Sequence, residues 1–311
     1  MLKRIFATLG SLAVLASSAW ASDPANCKAV RFSDVGWTDI TSTTATAAVI
    51  LRALGYEPEK IMVSIPVTYA SMKNKDIDVF LGDWEPSVKA DRQPYLDDKS
   101  IEVFGPNLTG AKYTFAVPKY VADAGVKDFA DLQKFADKFG NRIYGIEPGN
   151  DGNRLILDII NKGDFGLKDW TLVESSEQGM LAQVGKAVQA KDWIVFLGWA
   201  PHPMNSTYQI EYLSGGDAYF GPNYGGANVF TNLRAGYTSE CPNVGKFLTN
   251  LKFTLEMENE IMSSIINDGK DADVAAGDWL KKNPKTIVPW LEGVTTFDGK
   301  PAEAAVTSAL Q

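Results

Sequence analysis

The chain has 311 residues, with 38 acidic and 30 basic side chains and a single histidine, which gives a formal net charge of −8. This charge argues against nucleic acid and against an anionic membrane surface as partners, because both repel an acidic protein. One histidine excludes metal sites built on a histidine pair, and no phosphate-loop, dinucleotide-binding or nucleophile-elbow motif is present. We therefore expect no metal and no cofactor.

Residues 1–21 have the layout of a secretory signal peptide. The start is basic at positions 3 and 4, residues 5–15 are mostly apolar, and residues 19–21 (AWA) form a small-x-small cleavage site. The apolar run is too short to span a bilayer unaided. We expect cleavage after Ala21, a periplasmic location, and a mature monomer without direct insertion into the membrane.

Two cysteines, Cys27 and Cys241, lie near opposite ends of the mature chain. In an oxidising compartment an even number of cysteines favours a disulfide, which here would close a long loop of the unfolded chain. Two free, buried thiols are the alternative.

Apolar runs typical of strands alternate with helical patterns along almost the whole chain. The predicted strands are 29–32, 61–65, 79–81, 101–104, 113–117, 142–146, 170–174 and 193–197. The predicted helices are 43–54, 67–75, 129–139, 154–162 and 178–189, followed by a helical region over 243–282. This alternation predicts α/β lobes with largely parallel sheets, and the length favours two lobes because one hydrophobic core rarely serves so many residues.

Two segments of the chain are similar to each other. Residues 79–86 (VFLGDWEP) and 195–201 (VFLGWAP) each run from a short apolar strand through glycine to a tryptophan, with proline shortly after. Chance similarity between two apolar strands is the alternative. The similarity predicts two lobes of like design that offer Trp84 and Trp199 from the carboxyl ends of strands, where ligands of open α/β sheets bind.

Two further aromatic residues have comparable positions. Trp37 follows the first predicted strand through Gly36, and Tyr113 opens a strand after the turn at 109–110. Each of these rings could belong to the core, since large aromatic side chains bury much apolar area. Tryptophans placed just beyond strands, beside glycine or proline, instead favour ring faces that converge from two lobes. Such faces attract a quaternary ammonium group, whose charge is diffuse and which has no N–H to donate.

Three polar residues lie near these aromatic positions. Asp39 follows Trp37 by two residues and fits either a helix cap or a contact to a bound cation. Asn150 lies in a turn and either shapes that turn or binds a small polar group. His202 lies between two prolines and is expected in a surface loop, with a position that lines a cleft as the alternative. No nucleophile–base pair is visible, so we expect a binding protein and not an enzyme.

Taken together, these segments resemble the glycine betaine/choline solute-binding proteins of bacterial ABC importers, over essentially the whole mature chain. The similarity rests on residues 35–39 (VGWTD), 80–86 (FLGDWEP), 112–113 (KY), 148–151 (PGND) and 196–201 (FLGWAP). It implies the type II fold of periplasmic binding proteins, with two α/β lobes and a ligand cleft between them. It also implies an ABC transporter permease in the inner membrane as partner.

The resemblance implies roles for individual residues as well. Trp37, Trp84, Tyr113 and Trp199 would form a box around a trimethylammonium group. Asp39 would balance its charge, Asn150 would hold the hydroxyl end of the ligand, and Cys27 would be bonded to Cys241. We expect lobe I to comprise 22–112 and the helical C-terminal part 213–311, with lobe II formed by 113–212.

Choline is the expected ligand, with glycine betaine, proline betaine or acetylcholine as alternatives. The carboxylate of betaine needs donors such as arginine, and none of the similar segments contains one. Asp39 would also repel that carboxylate. Backbone N–H groups after Gly149 could nevertheless bind an anion at the start of the following helix.

Overall fold

The computed structural model describes residues 23–311, so the predicted signal peptide and its cleavage site lie outside the described residues. The strands are β1 (Ala29–Asp34), β2 (Glu57–Met62), β3 (Val79–Glu85), β4 (Ile101–Pro118), β5 (Arg142–Tyr144), β6 (Thr171–Val173), β7 (Phe196–Ala200), β8 (Ile210–Tyr212) and β9 (Gly226–Arg234). The helices up to β9 are α1 (Thr38–Ala53), α2 (Ile65–Lys73), α3 (Lys89–Asp97), α4 (Lys119–Asp123), α5 (Phe129–Leu132), α6 (Ala136–Phe139), α7 (Asp151–Lys162), α8 (Glu177–Ala190), α9 (Met204–Thr207), α10 (Asp217–Phe220) and α11 (Pro222–Gly225). The C-terminal helices are α12 (Tyr237–Glu240), α13 (Pro242–Asn250), α14 (Leu255–Ile266), α15 (Ala272–Lys282), α16 (Ile287–Trp290) and α17 (Ala302–Leu310).

The strands form one sheet with two halves of the same design. Its order is β2-β1-β3-β9-β4-β7-β5-β6, and β8 pairs with β4. In one half, here called lobe I, β1 pairs in parallel with β2 and β3, and β3 pairs antiparallel with β9. In the other half, lobe II, β5 pairs in parallel with β6 and β7, and β7 pairs antiparallel with β4. The expected α/β fold with two lobes is therefore confirmed, and β3 and β7 have equivalent positions.

The long strand β4 differs from the sequence prediction. Residues 101–104 and 113–117 were expected as separate strands, but they belong to one strand that pairs with β9 and then, from Lys112 onward, with β7. Register shifts between Phe104 and Ala111 absorb the glycine and proline residues that suggested a break. Only the outer strands of each lobe pair in parallel. The strands β4 and β9, which cross between the lobes, pair with each other in antiparallel orientation.

Helix α1 begins earlier than its sequence suggests. The sequence predicts this helix from residue 43, whereas α1 begins at Thr38, in a stretch rich in threonine and serine, which compete with the helix backbone for hydrogen bonds. In the structure the hydroxyls of Ser42, Thr43 and Thr46 donate to carbonyls one turn earlier, so these three buried hydroxyls are satisfied within the helix. This extension brings Asp39 into the first helical turn.

Cys27 and Cys241 form a disulfide, as expected. The bond joins the N-terminal segment to the residue that precedes α13, and it closes a loop with a sequence separation of 214. In the chain-entropy description, a loop of this length corresponds to roughly 5 kcal/mol of stabilisation. Across residues 23–311, none of the helices combines the length and hydropathy needed to cross a bilayer.

Candidate ligand-binding site

A buried cavity lies where the carboxyl ends of β3 and β7 face the first turns of α1 and α7. The residues that line it are Trp37, Asp39, Trp84, Tyr113, Ile146, Asp151 and Trp199. The space between these residues, counted together with its opening to solvent, is about 260 Å³.

Two of the rings, Trp84 and Trp199, lie on either side of Tyr113. Trp84 belongs to β3 and Trp199 to β7, so the two similar segments of the sequence supply equivalent walls from opposite lobes. The ring centroid of Tyr113 lies 6.1 Å from that of Trp84 and 6.3 Å from that of Trp199, with interplanar angles of 61° and 81°. The planes are thus steeply inclined to one another, and their faces and edges enclose the cavity.

Trp37 supplies the fourth ring from the N-cap position of α1. Its indole N–H donates to Oε1 of Glu147 in lobe II over 2.8 Å, which fixes the ring across the boundary between the lobes. Burial raises the pKa of Glu147 to about 7. All four aromatic residues that sequence analysis assigned to the site therefore line one cavity.

Asp39 places a carboxylate in the same cavity. The residue is 1% exposed, and its Oδ2 accepts the indole N–H of Trp84 at 3.0 Å. Its Oδ1 is buried and has no hydrogen-bond partner within residues 23–311. Burial first, and then the carboxylate of Glu177, raise the pKa of Asp39 to about 8. An oxygen in this state is a ready partner for a cation or for a hydrogen-bond donor.

Asn150 is the N-cap of α7, and its amide is largely used by the protein. Its Oδ1 accepts the backbone N–H of Asn153 and the hydroxyl of Tyr113, each at 3.1 Å. Its Nδ2 donates to Oδ1 of Asp151 at 3.0 Å. Asn150 is not among the described residues that line the cavity. Its contact with a ligand stays a prediction, while its contacts with Tyr113 and Asp151 orient two residues of the wall.

Asp151 is a site residue that sequence analysis missed. It is buried, it lines the cavity, and its Oδ2 lacks a hydrogen-bond partner in the described part of the chain. Burial raises the pKa of Asp151 to about 6. Asp39 lies in the first turn of α1, which follows β1, and Asp151 lies in the first turn of α7, which follows β5. The strands β1 and β5 have equivalent positions in the two lobes. The similarity of the two lobes was the signal that could have identified it.

The surface position expected for His202 is wrong. The residue is 2% exposed, and its ring packs edge-on against Trp199 with the centroids 5.0 Å apart. Its Nδ1 accepts the backbone N–H of Met204 at 3.0 Å, and its Nε2 lies 3.2 Å from Oε1 of Glu177. His202 follows β7 in the chain and packs against Trp199, so it lies behind a wall of the cavity.

The arrangement is suited to binding a small cation. Ring faces attract a diffuse positive charge, and two buried carboxylates add a negative potential. In the described residues, no group of three or more histidine, cysteine, aspartate or glutamate side chains is placed to hold a metal ion.

Comparison with known proteins identifies the family. Residues 28–282 match OpuAC, the substrate-binding domain of ABC-type glycine betaine transport systems. The chain belongs to this family. It is therefore a solute-binding protein of an ABC transporter, periplasmic or extracellular, and not an enzyme, and a permease is its partner.

Three solved structures of related proteins share its fold. An ABC-transporter choline-binding protein in complex with choline is 61% identical, covers 93% of this chain and 100% of its own, and superposes with a TM-score of 0.91. An ABC-transporter choline-binding protein in an unliganded, semi-closed conformation is 62% identical over 92% of this chain and 99% of its own, with a TM-score of 0.84. Lactococcal OpuAC, closed on glycine betaine, is 30% identical over 85% of this chain and 99% of its own, with a TM-score of 0.77.

The first two comparisons also bear on conformation. Their sequence identities are nearly equal, yet the TM-score is higher for the choline-bound structure than for the semi-closed one. This chain therefore superposes more closely on the choline-bound relative than on the unliganded one, and the aromatic residues that line its own cavity are buried.

Proposed function

We propose that this protein captures choline in the cavity between its lobes and delivers it to the permease of an ABC importer. The observation that carries the proposal is the convergence on one buried cavity of four aromatic rings and of Oδ1 of Asp39, which has no hydrogen-bond partner among residues 23–311. The similarity to a choline-bound protein over nearly the whole chain supports the same ligand.

The trimethylammonium group of choline fits the aromatic end of the cavity. It cannot donate a conventional N–H hydrogen bond, so ring faces and a carboxylate are the partners it can use. A desolvated cation–π contact contributes about 2 kcal/mol, although several contacts do not add fully because binding also orders the lobes. In this proposal Trp37, Trp84, Tyr113 and Trp199 surround the methyl groups, and Asp39 balances the charge.

The hydroxyl end of choline would lie near the first turn of α7. Asn150 is the partner predicted from sequence, and the free Oδ2 of Asp151 adds a hydrogen-bond acceptor nearby. An alcohol can donate to such an acceptor, whereas an ester cannot donate and a carboxylate is repelled. Two carboxylates on the cavity wall therefore favour choline over acetylcholine and over the zwitterionic betaines.

We also propose where the chain divides into its two lobes. We place lobe I at 22–112 and 213–311 and lobe II at 113–212. The change of partner along β4, from β9 to β7 at Lys112, supports the first boundary. The pairing of β8 with β4 supports a second boundary after Tyr212. We further propose that the signal peptide is cleaved after Ala21 and that the mature periplasmic protein is a monomer.

The experiment that tests the function is a calorimetric titration of ligand-stripped mature protein with choline, glycine betaine, proline betaine and acetylcholine. Choline should bind tightest by at least tenfold. Tighter binding of a betaine would retain the aromatic box but would contradict the role of the two carboxylates. The absence of heat with all four compounds would overturn the assignment of the cavity.

A further inference from the structure

Helix α1 has an unusual N-terminus. Its N-cap residue is Trp37, whose side chain makes no capping hydrogen bond to the helix within the described structure. The N–H of Thr38 would thus lack a partner, as the first N–H groups of a helix do unless another group accepts from them. Instead it donates to Oε2 of Glu177 at 2.8 Å, and the hydroxyl of Thr38 donates to Oε1 at 2.5 Å.

The cap comes from the opposite lobe. Thr38 lies at the start of α1 in lobe I, and Glu177 is the first residue of α8 in lobe II, 139 residues further along the chain. Glu177 is not required to cap its own helix, because the hydroxyl of Ser176 accepts the N–H of Gly179 at 3.1 Å. Its carboxylate is 2% exposed, and both of its oxygens bond to the other lobe.

His202 holds this carboxylate in place. Because Nδ1 of His202 accepts the N–H of Met204, Nε2 is the ring nitrogen left to donate, and it faces Oε1 of Glu177 at 3.2 Å. The same ring packs against Trp199. A continuous set of contacts thus begins at Trp199, a cavity wall in lobe II, and passes through His202 and Glu177. It ends at the start of α1 in lobe I, which carries Trp37 and Asp39.

Electrostatics couple this contact to the charge in the cavity. Glu177 lies near enough to Asp39 for its carboxylate to disfavour ionisation of Asp39. Closing the lobes removes both acidic groups from water, which is unfavourable unless a positive charge is close by. A cationic ligand in the box provides that charge, whereas a zwitterion provides it together with a further carboxylate.

We propose that Glu177 is a positioning residue that locks the closed state by capping α1 from the opposite lobe. The lock forms as the lobes close, and it fixes the turn that presents Trp37 and Asp39 to the ligand. Glu177 itself does not line the cavity of the described structure, so it acts on binding through the lobes and not through ligand contact. The inference rests on the proposed binding of choline.

The test compares Glu177→Ala and Glu177→Gln with wild-type protein. Calorimetry measures the affinity for choline, small-angle X-ray scattering measures compaction at saturating choline, and thermal unfolding without ligand measures the stability of the fold. We expect at least a tenfold loss of affinity and reduced compaction for Glu177→Ala. Glu177→Gln should be intermediate, because its amide oxygen can still accept from Thr38. The ligand-free melting temperature should hardly change.

Two control variants separate the lock from general effects. Glu174→Gln alters an exposed carboxylate that accepts from Asn153 within lobe II, and it should leave both binding and compaction unchanged. Asp91→Asn removes a partly buried ion pair between the lobes, with Arg154, and should reduce affinity by less than threefold. If Glu177→Ala does not fold, Thr38→Val removes the hydroxyl half of the contact and should weaken binding in the same direction.

The outcomes distinguish the two claims. Wild-type protein that neither binds choline nor compacts would overturn the proposed function and this inference with it. Normal wild-type binding together with unchanged affinity and compaction in Glu177→Ala would overturn the inference alone. A large fall in the ligand-free melting temperature with unaltered compaction at saturating choline would assign Glu177 to fold stability and would likewise contradict the lock.

Discussion

The indole N–H of Trp84 donates to Oδ2 of Asp39 over 3.0 Å, which joins an aromatic wall of the cavity directly to its carboxylate. Trp84 comes from β3 and Asp39 from α1, so strand and helix of lobe I present one combined surface. The bond leaves Oδ1 of Asp39 free within the described chain. The same residue pair can therefore offer a ring face and a negative charge to one ligand.

Trp84→Ala should weaken choline binding by roughly 30-fold, since a desolvated cation–π contact contributes about 2 kcal/mol. Trp84→Phe keeps a ring face but loses the bond to Asp39, so its affinity should lie between those of wild type and alanine. Calorimetry measures all three affinities, and circular dichroism checks the fold. Equal affinities in the two variants and wild type would show that the ring only packs.

Asp39→Asn should weaken choline binding more than glycine betaine binding, because it removes a negative charge that attracts a cation and repels a carboxylate. Calorimetry measures both dissociation constants. The dissociation constant of glycine betaine divided by that of choline should fall at least tenfold. Asp34→Asn is the matched control, since Asp34 is also buried nearby and bonds to Gly36 and Thr41 but does not line the described cavity. An unchanged ratio in Asp39→Asn would remove Asp39 from the site.

Asp151→Asn should improve the relative affinity for glycine betaine. The change removes the second carboxylate from the cavity wall, and an amide can donate to the ligand's carboxylate where Asp151 repels it. Competition of glycine betaine against labelled choline provides the measurement. An identical competition curve for Asp151→Asn and wild type would mean that Asp151 does not face the ligand.

Choline affinity should fall as the pH is lowered. Burial and Glu177 raise the pKa of Asp39 to about 8 in the ligand-free cavity, and a bound cation favours the ionised carboxylate. Binding near pH 7 should therefore release protons, and affinity should rise with pH until it levels off above about 8. Glu147 and Asp151, with pKa values raised to about 7 and about 6, act in the same direction.

Calorimetry in buffers of different ionisation enthalpy counts the protons released on binding and so checks this prediction. Asp39→Asn should lose most of the pH dependence between pH 6 and 8. Affinity that is constant over this range in wild-type protein would contradict the assignment of a titrating carboxylate to the site.

Reduction of the disulfide should lower stability but leave binding intact. The bond between Cys27 and Cys241 closes a very long loop, and loss of a native disulfide typically costs about 2–5 kcal/mol. Neither cysteine lines the cavity in the described structure. We expect a lower midpoint of urea unfolding for Cys27→Ser/Cys241→Ser, with choline affinity within twofold of wild type. A loss of choline affinity larger than the loss of stability accounts for would instead indicate that the disulfide takes part in closing the lobes.

Local patterns in the sequence were enough for much of this protein. The alternation of strands and helices predicts the α/β class, and the similarity of 79–86 to 195–201 predicts two lobes that offer Trp84 and Trp199 from the carboxyl ends of strands. The spacing of apolar residues and the residues typical of turns depend on neighbouring positions only, so they can be recognised without a structure. Element ends were less certain, as the early start of α1 and the unbroken strand β4 show.

The tertiary structure alone decided that Asp151 shares the cavity with Asp39 and how the lobes hold each other. Asp151 was not among the predicted site residues, and His202 was expected in a surface loop. The contact between Thr38 and Glu177 joins residues 139 positions apart, and no local pattern indicates it. The burial and charge environment of such groups depend on residues brought together by folding, so their chemistry became visible only when both lobes were in place.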